Sequence, residues 1–223
     1  MLMLLTMTLK WCDKPFSAVM RTGGTEEDTV VLILDAGHGG EDGGAVSATG
    51  TPESQINLDI VLKMNDILGL YGTAPKLLRS EDISLHDPGA VTLREKKVSD
   101  LKNRVAAVQA EEQATVISIH QNSYPDSRYS GTQTFYAPTE GSEELARHIQ
   151  NAIQQTLQTE NAREVKQIPE TIYFFNHIDC RAVLVECGFL TNPAEEALLK
   201  DDAYQKKLAA LLSSAWLTRE NEA

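Results

Sequence analysis

The sequence is poor in cysteine, short of basic residues and without a long apolar run. Three cysteines (Cys12, Cys180 and Cys187) in 223 residues are too few for a disulfide framework. Cys180 and Cys187 flank a predicted strand whose ends lie roughly 20 Å apart at ~3.3 Å per residue. A disulfide needs Cα atoms within about 7 Å, so the pair is expected as free thiols. Lys and Arg number 20 against 32 Asp and Glu, a formal net charge of −12. That balance argues against nucleic acid as a partner, because phosphate binding relies on Lys and Arg. No run of roughly eighteen apolar residues occurs, so no membrane-spanning helix is encoded. The GxGxxG and GxxxxGK[ST] patterns are both absent, which weighs against a phosphate-cradling loop.

One stretch stands out against this background: Val30-Val31-Leu32-Ile33-Leu34-Asp35-Ala36-Gly37-His38-Gly39-Gly40. A continuous apolar, β-branched run bounded by glycine reads as a strand of a parallel sheet buried on both faces. Ligand sites in such sheets form just beyond the carboxyl ends of the strands, which is where His38 falls. Two later runs end in the same way. Thr115-Val116-Ile117-Ser118-Ile119 leads to His120, and Ala182-Val183-Leu184-Val185 leads to Glu186.

Between these strands the chain alternates. Thr51-Pro52-Glu53 reads as a helix start, with Thr51 as N-cap and Pro52 at the first helical position. Ile56, Ile60, Met64 and Ile67-Leu68 form its apolar stripe, and Gly69 or Gly72 ends it. Glu53 then sits in the first turn, where the macrodipole favours an ionised carboxylate; an ordinary helix-start charge and a metal ligand both fit that position. Lys76–Arg79 is a short candidate strand, and His86 in the polar loop after it reads as a surface histidine. Thr92-Leu93-Arg94-Glu95 is a capping-box signature, continued by Val98, Leu101, Val105 and Val108. Arg94 and Arg104 on this helix are expected to be solvated, with a substrate carboxylate as the alternative.

Thr132–Tyr136 alternates as a strand, and Ser142 is expected to cap a helix reaching about Leu157 with His148 facing solvent. Residues 159–171 are polar and break the pattern. Ile172-Tyr173-Phe174-Phe175 is expected to pack in the core, with stacking on a sugar face as the alternative. Pro193–Leu199 and Asp202–Leu217 read as closing helices. Alternating strands and helices imply an α/β fold of three layers: a mostly parallel central sheet with helices on both faces. Residues 29–219 are expected to form that domain. Residues 1–28 are expected to be a disordered leader or truncated signal remnant, since Met1–Leu9 is apolar but lacks a basic segment and a small-residue cleavage site. Residues 220–223 are expected to be a tail.

Three strands ending in His38, His120 and Glu186, with Glu53 at a helix start, can converge at one sheet edge. Charged groups gathered there need a shared cation or protons. Two imidazoles and a carboxylate, with a position left open, match a catalytic zinc site. Spacing alone does not decide which glutamate ligates and which is left as a base.

The motifs Asp35-Ala36-Gly37-His38-Gly39-Gly40, Glu53, Ser118-Ile119-His120-Gln121-Asn122-Ser123 and Val185-Glu186-Cys187-Gly188-Phe189-Leu190-Thr191-Asn192-Pro193 resemble, in order, the zinc-dependent N-acetylmuramoyl-L-alanine amidases. The resemblance runs from about Val30 to Trp216. It implies one zinc ion on His38, Glu53 and His120, with Glu186 as the catalytic base. It also implies hydrolysis, by zinc-activated water, of the amide joining the lactyl group of muramic acid to L-alanine. Ala36, Gln121 and Cys187 stand where the family often has Pro, Ala and Thr; none removes a ligand. The segments around Arg94–Arg104 and Tyr173–His177 look most like the sporulation branch, which serves muramic δ-lactam formation in spore cortex. The implied partners are peptidoglycan glycan strands and stem peptides, outside the cytoplasm, with an accessory protein as a further expectation. Two other readings stay open: a catalytically silent peptidoglycan-binding module, and a zinc peptidase cutting within the stem peptide.

Overall fold

The computed structural model describes residues 30–219. The leader with Met1–Leu9 and Cys12, and the tail at 220–223, lie outside those residues. Among the described residues, six strands and five α-helices follow in order: β1 (Val31–Ala36), α1 (Glu53–Leu70), β2 (Lys76–Leu77), α2 (Leu93–Gln109), β3 (Ala114–Asn122), β4 (Gln133–Tyr136), α3 (Ser142–Thr156), β5 (Lys166–Gln167), β6 (Arg181–Phe189), α4 (Pro193–Lys200) and α5 (Asp202–Thr218). The strand order is β2-β1-β3-β6-β4-β5. All neighbouring pairs are parallel except β4 with β6. The expected three-layer α/β architecture is therefore what the chain forms.

Alternation along the central strands sorts their side chains between two cores. Leu32, Leu34 and Ala36 of β1, Ile117 and Ile119 of β3, and Val183, Val185 and Cys187 of β6 pack with α1, α3, α4 and α5. Ile33, Val116, Ala182 and Leu184 face the other way, toward α2 and Phe174-Phe175. Burial on both faces is why these strands read as unbroken apolar runs. The same parity puts Asp35, Ser118, His120 and Glu186 on the α2 face. β1 connects through α1 to β2 on one side and pairs with β3 on the other, so the order reverses between β1 and β3. That reversal opens a crevice at the carboxyl ends of these two strands.

Local signals set most element ends. Thr92 and Glu95 form the expected reciprocal capping box on α2. At the end of α1, Gly72 adopts φ 78°, and the amides of Gly72 and Thr73 return to the carbonyls of Gly69 and Leu68. This is the left-handed glycine stop that satisfies the last carbonyls of a helix. Two helix starts and one strand differ from expectation. Pro52, not Thr51, is the N-cap of α1 and offers no side-chain bond. Gly141 rather than Ser142 caps α3, because the Ser142 hydroxyl is taken by Thr139 and by the amide of Ala182. β5 lies within the polar 159–171 stretch, held by backbone pairing to β4 that side-chain periodicity does not announce.

Candidate active site

β1 delivers the backbone of Asp35–Ala36 to the sheet edge, and the chain then turns sharply. His38 adopts φ 62°, the left-handed region that a histidine rarely occupies. Gly37 has to lack a side chain, since a Cβ there would fall 2.1 Å from the His120 ring. Gly44 serves the same purpose for Glu53, whose Cγ would lie 2.4 Å from an added Cβ. Close backbone approach at these two positions lets the imidazoles and the carboxylate meet.

They do meet. Oε1 of Glu53 lies 3.0 Å from Nε2 of His38 and 3.0 Å from Nδ1 of His120. One ligand atom from each of His38, Glu53 and His120 lies within 4.8 Å of the others, a span that one ion can bridge. The two imidazole rings stand edge to face with centroids 5.0 Å apart. Nδ1 of His38 faces Asp42 Oδ2 at 2.9 Å. Donating that proton fixes the ring and leaves Nε2 to face Glu53. The other oxygen of Glu53 accepts from the amide of Ala45 at 2.9 Å. Asn57, one helical turn on, donates to the carbonyl of Gly37 and is itself met by Gln121.

His120 and Glu186 are direct partners in the β3–β6 register. Both line a cleft of about 390 Å³ together with His38, Glu53, Asp42, Lys97, Leu101, Ile172 and Tyr173. Oε2 of Glu186 is buried without a hydrogen-bond partner among the described residues. Burial pushes the Glu186 carboxyl up to about 7, opposed by His120 and reinforced by Glu53. Glu53 goes the other way: burial would raise it, but bonds from His120 and His38 hold it well below the usual carboxylate range. Burial alone would lower His38; the bonds to Asp42 and Glu53 outweigh it and bring the imidazole to about 9.

The donor set suits a divalent metal: two imidazole nitrogens and one carboxylate oxygen converge, and an orphaned carboxylate faces the same cleft. All four side chains singled out by sequence therefore lie together. The remaining histidines do not join them. His86 is half-buried with Nδ1 on Ser84 Oγ. His148, expected to face solvent, is half-buried, with Nε2 3.0 Å from Thr218 Oγ1. His177 is exposed and stacks on Tyr173 at 3.8 Å. Phe174 and Phe175 are buried as expected, while Ile172 is exposed at the cleft. Cys180 and Cys187 are free thiols, and burial holds Cys187 in its protonated form.

The expectation for Arg104 is overturned as well. Arg104 is buried, not solvated: it pairs with Asp35 and Asp100 and donates to the carbonyls of Ala36 and His38. Its partners on β1 and in the turn after it are 66 to 69 positions away, beyond any local pattern. Arg94 is exposed. Asp42, Asn57 and Arg79 also contact the site. The i, i+4 spacing of Asp42 from His38 and of Asn57 from Glu53 was the available hint for two of them.

Comparison with known proteins gives the family. A family model described as N-acetylmuramoyl-L-alanine amidase matches residues 32–216. The chain is 34% identical over 181 residues to the germination-specific N-acetylmuramoyl-L-alanine amidase of Bacillus subtilis (strain 168), covering 81% of this chain and 75% of that one. It is 33% identical over 181 residues to the amidase LytC of the same organism, of which it spans 33%. Among solved structures, the CwlD amidase from Clostridioides difficile, in complex with the GerS lipoprotein, superposes with a TM-score of 0.83 at 36% identity, covering 87% of this chain and 100% of that one. The chain belongs to the N-acetylmuramoyl-L-alanine amidase family.

Proposed function

We propose that this amidase acts through one zinc ion held by His38, Glu53 and His120, with Glu186 as general base, on the bond between the muramic lactyl group and L-alanine. The observation that carries the reading is the pairing of a three-donor cluster with a buried, partnerless carboxylate oxygen in one cleft. When bound, such an ion supplies Lewis acidity, lowering the pKa of water and polarising a carbonyl.

The protein's own groups do the rest. Asp42 keeps the proton on Nδ1 of His38, so the lone pair of Nε2 stays available to a metal ion. Glu186 removes a proton from the attacking water and returns it to the alanine nitrogen as the amide bond breaks, so one carboxyl serves as base and then acid. A base held near neutrality, as burial holds Glu186, suits both halves of that exchange. Ile172, Tyr173 and Leu101 give the cleft an apolar wall for the lactyl–alanine segment, with Lys97 at its rim.

Residues 29–219 act as the catalytic domain, outside the cytoplasm on peptidoglycan, and the place of work is the spore cortex. Likeness to a germination-specific amidase supports that placement. A lipoprotein partner of the kind seen on the Clostridioides difficile relative is the corresponding accessory protein. Digestion of purified cortex peptidoglycan, with and without added zinc, followed by mass spectrometry tests the reading. Muramic residues with free lactyl groups and intact stem peptides beginning at L-alanine are expected. Shortened stems would make the protein a peptidase, and unchanged peptidoglycan a silent binding module.

A further inference from the structure

Arg79 follows β2 and is 2% exposed. Its guanidinium donates through Nε to Ala36 O at 2.8 Å, through Nη1 to Glu81 O at 3.0 Å, and through Nη2 to Gly37 O at 3.1 Å and Ser54 O at 2.7 Å. Every one of these acceptors is a backbone carbonyl. A buried guanidinium is costly to desolvate, so its retention here calls for a reason. The acceptors supply one. Ala36 and Gly37 immediately precede His38, and Ser54 immediately follows Glu53. A single planar group thus spans two segments that carry ligand atoms, 25 and 42 positions from it in sequence.

Arg79 shares this task with Asn57 of α1, which donates to Gly37 O, and with the amide of Gly37, which donates to Ile119 O. The His38 turn is in a conformation costing roughly 1–2 kcal/mol for a residue with a side chain. Gly37 cannot anchor it by packing, because the His120 ring occupies the place of a Cβ. The turn is gripped by its carbonyls instead. Arg104 takes those of Ala36 and His38 from α2, and Arg79 takes those of Ala36 and Gly37 from the β2 side. The two arginines differ in one respect. Arg104 also neutralises Asp35 and Asp100, whereas the bonds of Arg79 go to the backbone alone.

We propose that Arg79 is a positioning residue that sets the separation between the His38 turn and the first turn of α1, so that both ligand-bearing segments reach one ion. The proposal rests on reading His38, Glu53 and His120 as metal ligands. Lysine is a poor substitute, because its three donors radiate from one nitrogen, whereas Arg79 reaches Ala36, Glu81, Gly37 and Ser54 from three separate nitrogens of a planar group.

The test is zinc affinity of the metal-free full chain, by competition with a chromophoric chelator, at a temperature where circular dichroism shows each variant folded. Wild type is compared with R79K, R79M and the control L212A, a fully buried core position on α5. R79K and R79M are expected to bind zinc about 10- to 100-fold more weakly, the range for lost support of metal ligands. Added zinc should also raise their melting temperatures by less than it raises that of wild type. L212A should melt earlier while keeping wild-type affinity, which separates positioning from general stability. Should R79M fail to fold, R79K, which keeps the charge, carries the test. Folded R79K with wild-type affinity overturns the proposal, and so does failure of both variants to fold. Absence of zinc binding by wild type would instead overturn the metal-site reading.

Discussion

Two clusters of buried charge lie near the carboxyl ends of β1 and β3, and they are built to opposite rules. In the first, Asp35, Ser118, Asp100 and Arg104 close on one another. Asp35 is bonded by Arg104 and by Ser118, and Asp100 by Arg104, Ser84 and the amide of Leu85. In the second, His38, Glu53, His120 and Glu186 are left incomplete: two imidazoles crowd one oxygen of Glu53, and Oε2 of Glu186 has no partner among the described residues. A fully satisfied network fixes structure, whereas an incomplete one costs stability that only a ligand or a reaction justifies. The first cluster is also the scaffold of the second, since Arg104 holds the carbonyl of His38.

Breaking the open cluster should abolish function and leave the fold. His120→Ala is expected to reduce hydrolysis to background and to eliminate bound zinc, measured by elemental analysis after dialysis. Glu186→Gln should keep its zinc and lose about 10²- to 10⁴-fold in kcat, the usual worth of a general base; near wild-type turnover would remove Glu186 from that role.

Breaking the closed cluster should do the reverse. Asp35→Asn leaves part of the Arg104 charge unpaired in the interior and is expected to cost about 3–5 kcal/mol in urea unfolding. Peptide release per folded, metal-loaded molecule should change far less than in Glu186→Gln.

The clusters also differ in the sign of their pH dependence. Burial would raise the Asp35 carboxyl, but Arg104 outweighs it and holds it below 3.8, so its contribution is present above that value and lost as pH falls. Glu186 is raised from 4.5 to about 7, so the folded state holds its proton more tightly than the unfolded chain does. Its contribution is full below 4.5 and lost as pH rises toward 7. In the metal-free protein, Glu186→Gln should remove that loss between pH 4.5 and 7 while leaving the acid limb in place. The smallest effect is expected at the exposed start of α2: Thr92→Ala removes half of the capping box and should cost about 1 kcal/mol without altering zinc affinity.

The same contrast explains what the sequence discloses. β1, β3 and β6 are legible because burial on both faces writes an unbroken apolar run, and each run ends on a residue of the open cluster. Glu53 is legible as a helix-start acid. The closed cluster is not. Arg104 looks like any polar residue on an amphipathic helix, and its partners on β1 lie far away in the chain. Arg79 likewise reads as the end of a short strand, because its acceptors are backbone carbonyls that leave no mark in the sequence. The antiparallel insertion of β4 beside β6 is a tertiary choice too, for alternation in Thr132–Tyr136 fits either direction.

The central claim is that His38, Glu53 and His120 share one ion while Glu186 stays off it. X-ray absorption at the zinc edge, on wild type and Glu186→Gln loaded with one equivalent, tests it most directly. The account predicts the same spectrum for both proteins, with two imidazole nitrogens and a carboxylate oxygen around the metal. A spectrum that loses an oxygen ligand in Glu186→Gln, or that contains no imidazole, would contradict it.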